Sequence, residues 1–71
     1  MDVNDCQKLL GRRIEAKRIE AGYSQRQFAL MVSTSQSYLW KLENGRVAAG
    51  LDVLCRVASA LDIQVRDLLE F

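Results

Sequence analysis

The stretch Gln25–Asn44, QRQFALMVSTSQSYLWKLEN, constrains this chain more than any other part of it. Just before it, Ser24 and Gln27 form the S-x-x-Q pattern of a capping box, in which each side chain satisfies an orphan backbone N–H at a helix start. Phe28, Ala29 and Val32 then recur at helical spacing and define an inward face. The polar run Ser33-Thr34-Ser35 interrupts that pattern. A further helix starts near Ser35, turns Leu39 and Leu42 inward, and stops at Asn44-Gly45, a pair suited to a helix C-terminus. Two short helices joined by a tight turn are the layout of a helix-turn-helix.

The rest of the chain continues the helical pattern. A first helix is expected from about Asp5 to Ala21, with Leu10, Ile14, Arg18 and Ala21 along one side and Gly22 as its left-handed stop. After a loop from Gly45 to Gly50, a fourth helix is expected over Leu51 to Leu61, with Leu51, Leu54, Ala58 and Leu61 as its apolar stripe. Asp62 follows where glycine is the easier residue, and aspartate tolerates left-handed backbone better than most. A short fifth helix fits Val65 to Leu69. No segment alternates apolar and polar residues as a strand does. The expected fold class is all-α, with five helices in one compact domain over residues 1–71.

A chain of 71 residues holds one domain at most. A domain this short buries only about 60% of the surface of its unfolded chain. Its core is therefore small and efficient, or is completed by a partner chain. No apolar run reaches the ~20 residues of a membrane span. The N-terminus, MDVNDCQKLLGRR, starts acidic and has no apolar signal core, so a cytoplasmic protein is expected. Cys6 and Cys55 are far apart, and there is no histidine. That argues for two reduced thiols and against a metal site. With no glycine-rich phosphate loop and no length for a cleft, neither a cofactor nor an enzyme is expected.

The net charge of +1 conceals an asymmetry. Residues 1–46 carry eight Lys and Arg against five acids, and residues 47–71 carry two against four. A basic part joined to an acidic part suits one face for a polyanion and another for something else, although a mixed solvated surface has the same composition.

The phrases LGRRIEAKRIEAGYSQRQFA, TSQSYLWKLENG and LDVLCRVASALDIQVRDLL carry a closer resemblance. Together they make the chain similar, from about Leu9 to Leu69, to the phage-repressor/Cro helix-turn-helix family, often called Xre-type. That family places a small residue at the fifth position of its helix-turn-helix, usually glycine at the ninth, and apolar residues at the fifteenth and eighteenth. Counted from Gln25, these fall on Ala29, Ser33, Leu39 and Leu42. Ser33 departs from the pattern, and so does Ala49-Gly50, where relatives often have Pro-Ser. The resemblance implies a lambda-repressor-like domain that binds double-stranded DNA.

It also sorts the exposed residues. Gln36 and Ser37 open the second helix of the motif, the end that meets base edges. Lys41 lies about one turn further on the same face. Glutamine fits the N6 and N7 edge of adenine, lysine fits O6 and N7 of guanine, and serine fits either. Gln25, at the start of the preceding helix, is assigned to DNA phosphate, with a simple cap as the alternative. Asn44 and Arg46 leave the recognition helix toward the next phosphates, although Asn44 also suits a helix cap. Lys17 and Arg13 are further phosphate candidates. Tyr38 is divided between phosphate contact and the rim of the core. Arg18 and Glu43 occupy positions that often pair in the family, so a structural ion pair is expected. Trp40 has three readings: packing on the loop around Val47 and Ala48, contact with DNA sugar or a thymine methyl, or contact with a protein.

Val65, Leu68, Leu69 and Phe71 offer more apolar surface than so short a helix hides internally. Some of it closes the core, and Leu68, Leu69 and Phe71 are assigned to a homodimer contact, at least on DNA, which implies a palindromic operator; the alternative is a monomer in which these residues are all core. The function expected is a sequence-specific, repressor-like transcriptional regulator. The competing expectation is an antitoxin or other protein-binding module, whose protein partner docks on the C-terminal apolar patch.

Overall fold

The computed structural model describes residues 1–71 and contains five helices: α1 (Val3–Glu20), α2 (Gln25–Met31), α3 (Gln36–Glu43), α4 (Leu51–Leu61) and α5 (Val65–Leu68). The expected elements are all present, and α1 begins earlier than the sequence suggested. Its cap is Asp2, whose Oδ1 accepts the Asp5 N–H at 2.8 Å. Ser24 and Ser35 cap α2 and α3 in the same way, by accepting from Gln27 N–H and Tyr38 N–H. At α2 the box is closed by the Ser24 N–H donating to Gln27 Oε1.

The first four helices share one way of ending. After α1, the N–H of Gly22 donates to Ile19 O and that of Tyr23 to Arg18 O. The same paired bonds close α2 at Ser33 and Thr34, α3 at Gly45 and Arg46, and α4 at Asp62 and Ile63. This is the Schellman motif, which needs one residue in the left-handed region. Glycine fills that position twice, at Gly22 and Gly45; Ser33 (φ 57°) and Asp62 (φ 56°) fill it at the other two ends.

The core is built around Ile14, Phe28, Val32, Leu39, Leu42, Val57 and Leu68, all fully buried. Tyr23 stacks on Phe28 with ring centroids 6.0 Å apart. Arg56 of α4 donates through Nε to Val32 O at 2.9 Å and so ties α4 to the end of α2.

Two expectations about packing are corrected. The buried stripe of α4 is Val53, Leu54, Val57 and Ala58. Leu51 is 70% exposed instead of inward, because it is the first residue of α4 and projects beyond the core. Leu68 is fully buried, so it serves the core and offers nothing to a second chain. Arg13 donates through Nη2 to the backbone carbonyl of Glu70, which turns it toward the C-terminus.

α1 also crosses α3 more closely than the pattern of apolar residues indicated. A Cβ on Gly11 would lie 2.5 Å from the carbonyl oxygens of both Leu42 and Glu43. A Cβ on Gly45 would lie 2.7 Å from Lys8 Cα. Those two glycines let α1 run directly against the C-terminal end of α3. No helix is long and apolar enough to cross a membrane.

Candidate nucleic-acid interface

Packing leaves α3 with one free face. Leu39, Leu42 and Glu43 point inward, whereas Gln36, Ser37, Trp40, Lys41 and Asn44 are exposed. These five positions follow helical spacing, so they share a side of the helix. Gln25, at the start of α2, joins Gln36, Ser37, Trp40 and Lys41 around a shallow concavity. The three residues assigned to bases are thus gathered beside the glutamine assigned to phosphate.

Below this face lies a buried charge network. Arg18 is 9% exposed and Glu43 4%. Their contact is bidentate: Arg18 Nε meets Glu43 Oε2 at 2.8 Å, and Nη2 meets Oε1 at 3.1 Å. The remaining guanidinium arm donates through Nη1 to Tyr23 O at 2.9 Å. Gln25 Nε2 donates to Glu43 Oε1 at 3.1 Å. No buried side-chain polar atom lacks a partner, which is the condition for such a network to hold one geometry instead of several. Glu43 therefore joins α1, the start of α2 and the end of α3.

The other assigned residues are placed less uniformly. Asn44 Nδ2 donates to Trp40 O at 2.8 Å, so its side chain acts as a helix cap while remaining exposed. Arg46 lies with its guanidinium carbon 5.6 Å from the centroid of the Trp40 ring. Trp40 therefore packs with Arg46, while Val47 packs on the core and Ala48 lines an apolar groove. Tyr38 is half-buried and packs against the core. Lys17 does not join this face. It sits among Glu20, Ala21, Leu61 and Ile63, on the side of α1 that meets the α4–α5 connection.

Two basic residues that the sequence reading left out stand nearer. Lys8 and Arg12 line a polar hollow with Glu15, Glu43 and Asn44 at the C-terminal end of α3. Their i, i+4 spacing showed that they share a face of α1, but only the crossing at Gly11 reveals that this face meets α3. On another side, Met1, Val3, Cys6, Ala48, Leu69 and Phe71 are among the residues lining an apolar groove. The N-terminal contribution to it was not legible while α1 was expected to begin at Asp5. Both cysteines are free thiols.

α2, the turn at Ser33 and α3, with its polar exposed face above a buried charge network, form a helix-turn-helix, the arrangement with which DNA-binding transcriptional regulators enter a major groove. The helix-turn-helix family model HTH_3 matches residues 14–68, and the chain belongs to that family. Among solved structures it is similar to the restriction-modification controller protein C.AhdI from Aeromonas hydrophila. The two are 31% identical with a TM-score of 0.85, over 87% of this chain and 94% of that one. It is also similar to the clp gene regulator ClgR from Corynebacterium glutamicum, at 31% identity and a TM-score of 0.85, over 90% of this chain and 83% of that one. A hypothetical transcription factor, NHTF, from Neisseria has a TM-score of 0.87 at 25% identity, over 96% of this chain and 76% of that one. A comparison with curated proteins finds no match.

Proposed function

We propose that this regulator binds a palindromic operator as a homodimer and represses by occupying it. In each protomer α3 enters the major groove, where Gln36, Ser37 and Lys41 read base edges. Gln25, Arg46 and Asn44 contact the flanking phosphates, with Lys8 and Arg12 adding charge at the far end of α3. Tyr38 contributes mainly by packing. The phosphate contacts set register and the α3 side chains set sequence. The observation that carries this reading is the convergence of Gln25, Gln36, Ser37, Trp40 and Lys41 on one exposed concavity. The likeness to a restriction-modification controller and to a clp gene regulator supports control of specific genes as the role.

The molecule's size supports the dimer. Its extents are 31 × 24 × 21 Å. Half-sites one turn of DNA apart are separated by about 34 Å, so one copy does not reach two. Leu69 and Phe71, 47% and 48% exposed, offer an apolar contact together with Met1 and Val3 beside them. Selection of sites from random duplex DNA at ~150 mM salt tests the reading, because weak backbone attraction is largely screened there. The expected product is a palindrome with half-sites one turn apart. A pool without enrichment would overturn the proposal and direct attention to a protein partner at the apolar groove.

A further inference from the structure

Trp40 has no role in the readout proposed above, yet it sits in the middle of the exposed face. It is the only tryptophan in the chain and is 46% exposed. A core position does not explain it: Leu39 and Leu42 beside it are buried, and Trp40 is not. Its indole borders the same concavity as Gln36, Ser37 and Lys41. Its other contact is Arg46, whose guanidinium lies over the ring at 5.6 Å.

The backbone explains why Arg46 comes back to that ring. Gly45 adopts φ 70° and reverses the chain, and the Arg46 N–H then donates to Lys41 O at 2.9 Å. Asn44 Nδ2 bonds the carbonyl of Trp40 itself, which anchors the turn to the residue carrying the indole. The base of the Arg46 side chain is therefore pinned beside the last turn of α3. A free arginine samples many rotamers, and ordering it on DNA costs binding energy. A guanidinium held over an indole has lost part of that freedom already, while its N–H edges stay open to a phosphate.

We infer that Trp40 is a positioning residue for DNA binding: its indole holds the Arg46 guanidinium at the rim of the recognition face and delivers it, pre-ordered, to a backbone phosphate. This rests on the readout proposed above and adds a role for a residue that reads no base. Trp40 acts through Arg46, so its effect exists only while Arg46 is present.

The test is a double-mutant cycle on the duplex that the wild-type protein selects from a random pool. Trp40→Ala is expected to weaken binding about two- to fivefold when Arg46 is present, the range of an exposed cation–π contact. In the Arg46→Ala background it is expected to have no effect. Trp40→Phe keeps an aromatic face and is expected to retain most of the affinity. Although tryptophan is uncharged, Trp40→Ala should also flatten the dependence of log K on log salt, by at most the ~0.9 of one phosphate contact. Thermal unfolding of each variant separates these effects from a folding defect, and Trp40→Phe keeps the test valid should Trp40→Ala fail to fold. Equal losses in both backgrounds would overturn the inference and make Trp40 a DNA contact in its own right. No loss in either background would overturn it as well. Failure of the wild-type protein to select any duplex would instead remove the underlying readout.

Discussion

Ser33 shows how much one residue of the turn tolerates. Relatives usually place glycine there, and the backbone takes φ 57° with serine in place. Left-handed backbone is unfavourable for a residue with a Cβ, by roughly 1–2 kcal/mol, and part of that returns when glycine's larger unfolded-state entropy is counted. Ser33→Gly is therefore expected to stabilise the fold by about 0.5–1 kcal/mol, seen as a rise of a few degrees in thermal midpoint. A lower midpoint would show that the serine side chain supports the turn. Glu43 is the opposite case, since its carboxylate is the acceptor for both Arg18 and Gln25. Glu43→Ala leaves the buried guanidinium without its counter-charge and should cost about 3–5 kcal/mol in chemical denaturation. A loss below 1 kcal/mol would mean that water replaces the carboxylate. The pairing of Arg18 with Glu43 was suggested by family resemblance; the third member, Gln25, was not, because its contact depends on where α2 begins relative to the end of α3.

At the level of elements, what could be read in advance follows from locality. The caps at Ser24 and Ser35 and the stop at Gly22 act within a few residues of themselves, and the sequence expresses them directly. The phase of α4 does not work that way. Its stretch LDVLCRVASAL is apolar on more than one side, so stripes through Leu51 or through Val53 both fit helical spacing. Only the position of the other helices selects Val53, Leu54, Val57 and Ala58. Gly11 is likewise silent in sequence, because glycine inside a helical pattern looks like a weakness until the partner helix is placed. Gly11→Ala forces a Cβ against two carbonyl oxygens of α3 and is expected to destabilise by at least ~1–3 kcal/mol. Circular dichroism during thermal unfolding measures it; an unchanged midpoint would show that α1 and α3 separate at little cost. Of the candidate site, the α3 face was legible because it is one helix side. Which side of α1 meets α3 was not legible: Lys8 and Arg12 lie at the C-terminal end of α3, whereas Lys17 lies beside Leu61 and Ile63 and Arg13 bonds the Glu70 carbonyl.

For the whole molecule, the proposed function calls on two faces that do not overlap. One is the polar face of α3, and the other is the apolar groove that includes Val3, Leu69 and Phe71. Phe71→Asp adds a charge to the groove without touching α3, so it is expected to shift sedimentation toward the monomer and to weaken binding to a two-half-site duplex. Binding to a single half-site should stay the same. Equal weakening on both duplexes would place Phe71 in the fold and not in a dimer contact. The central claim, that the exposed face of α3 reads bases, is tested most directly by repeating the selection from random duplexes with Lys41→Ala. The expected result is a loss of ~1–3 kcal/mol on the wild-type site and relaxed preference at one base pair of each half-site, with every other position unchanged. A uniform loss across all sequences, with the selected site intact at every position, would contradict it.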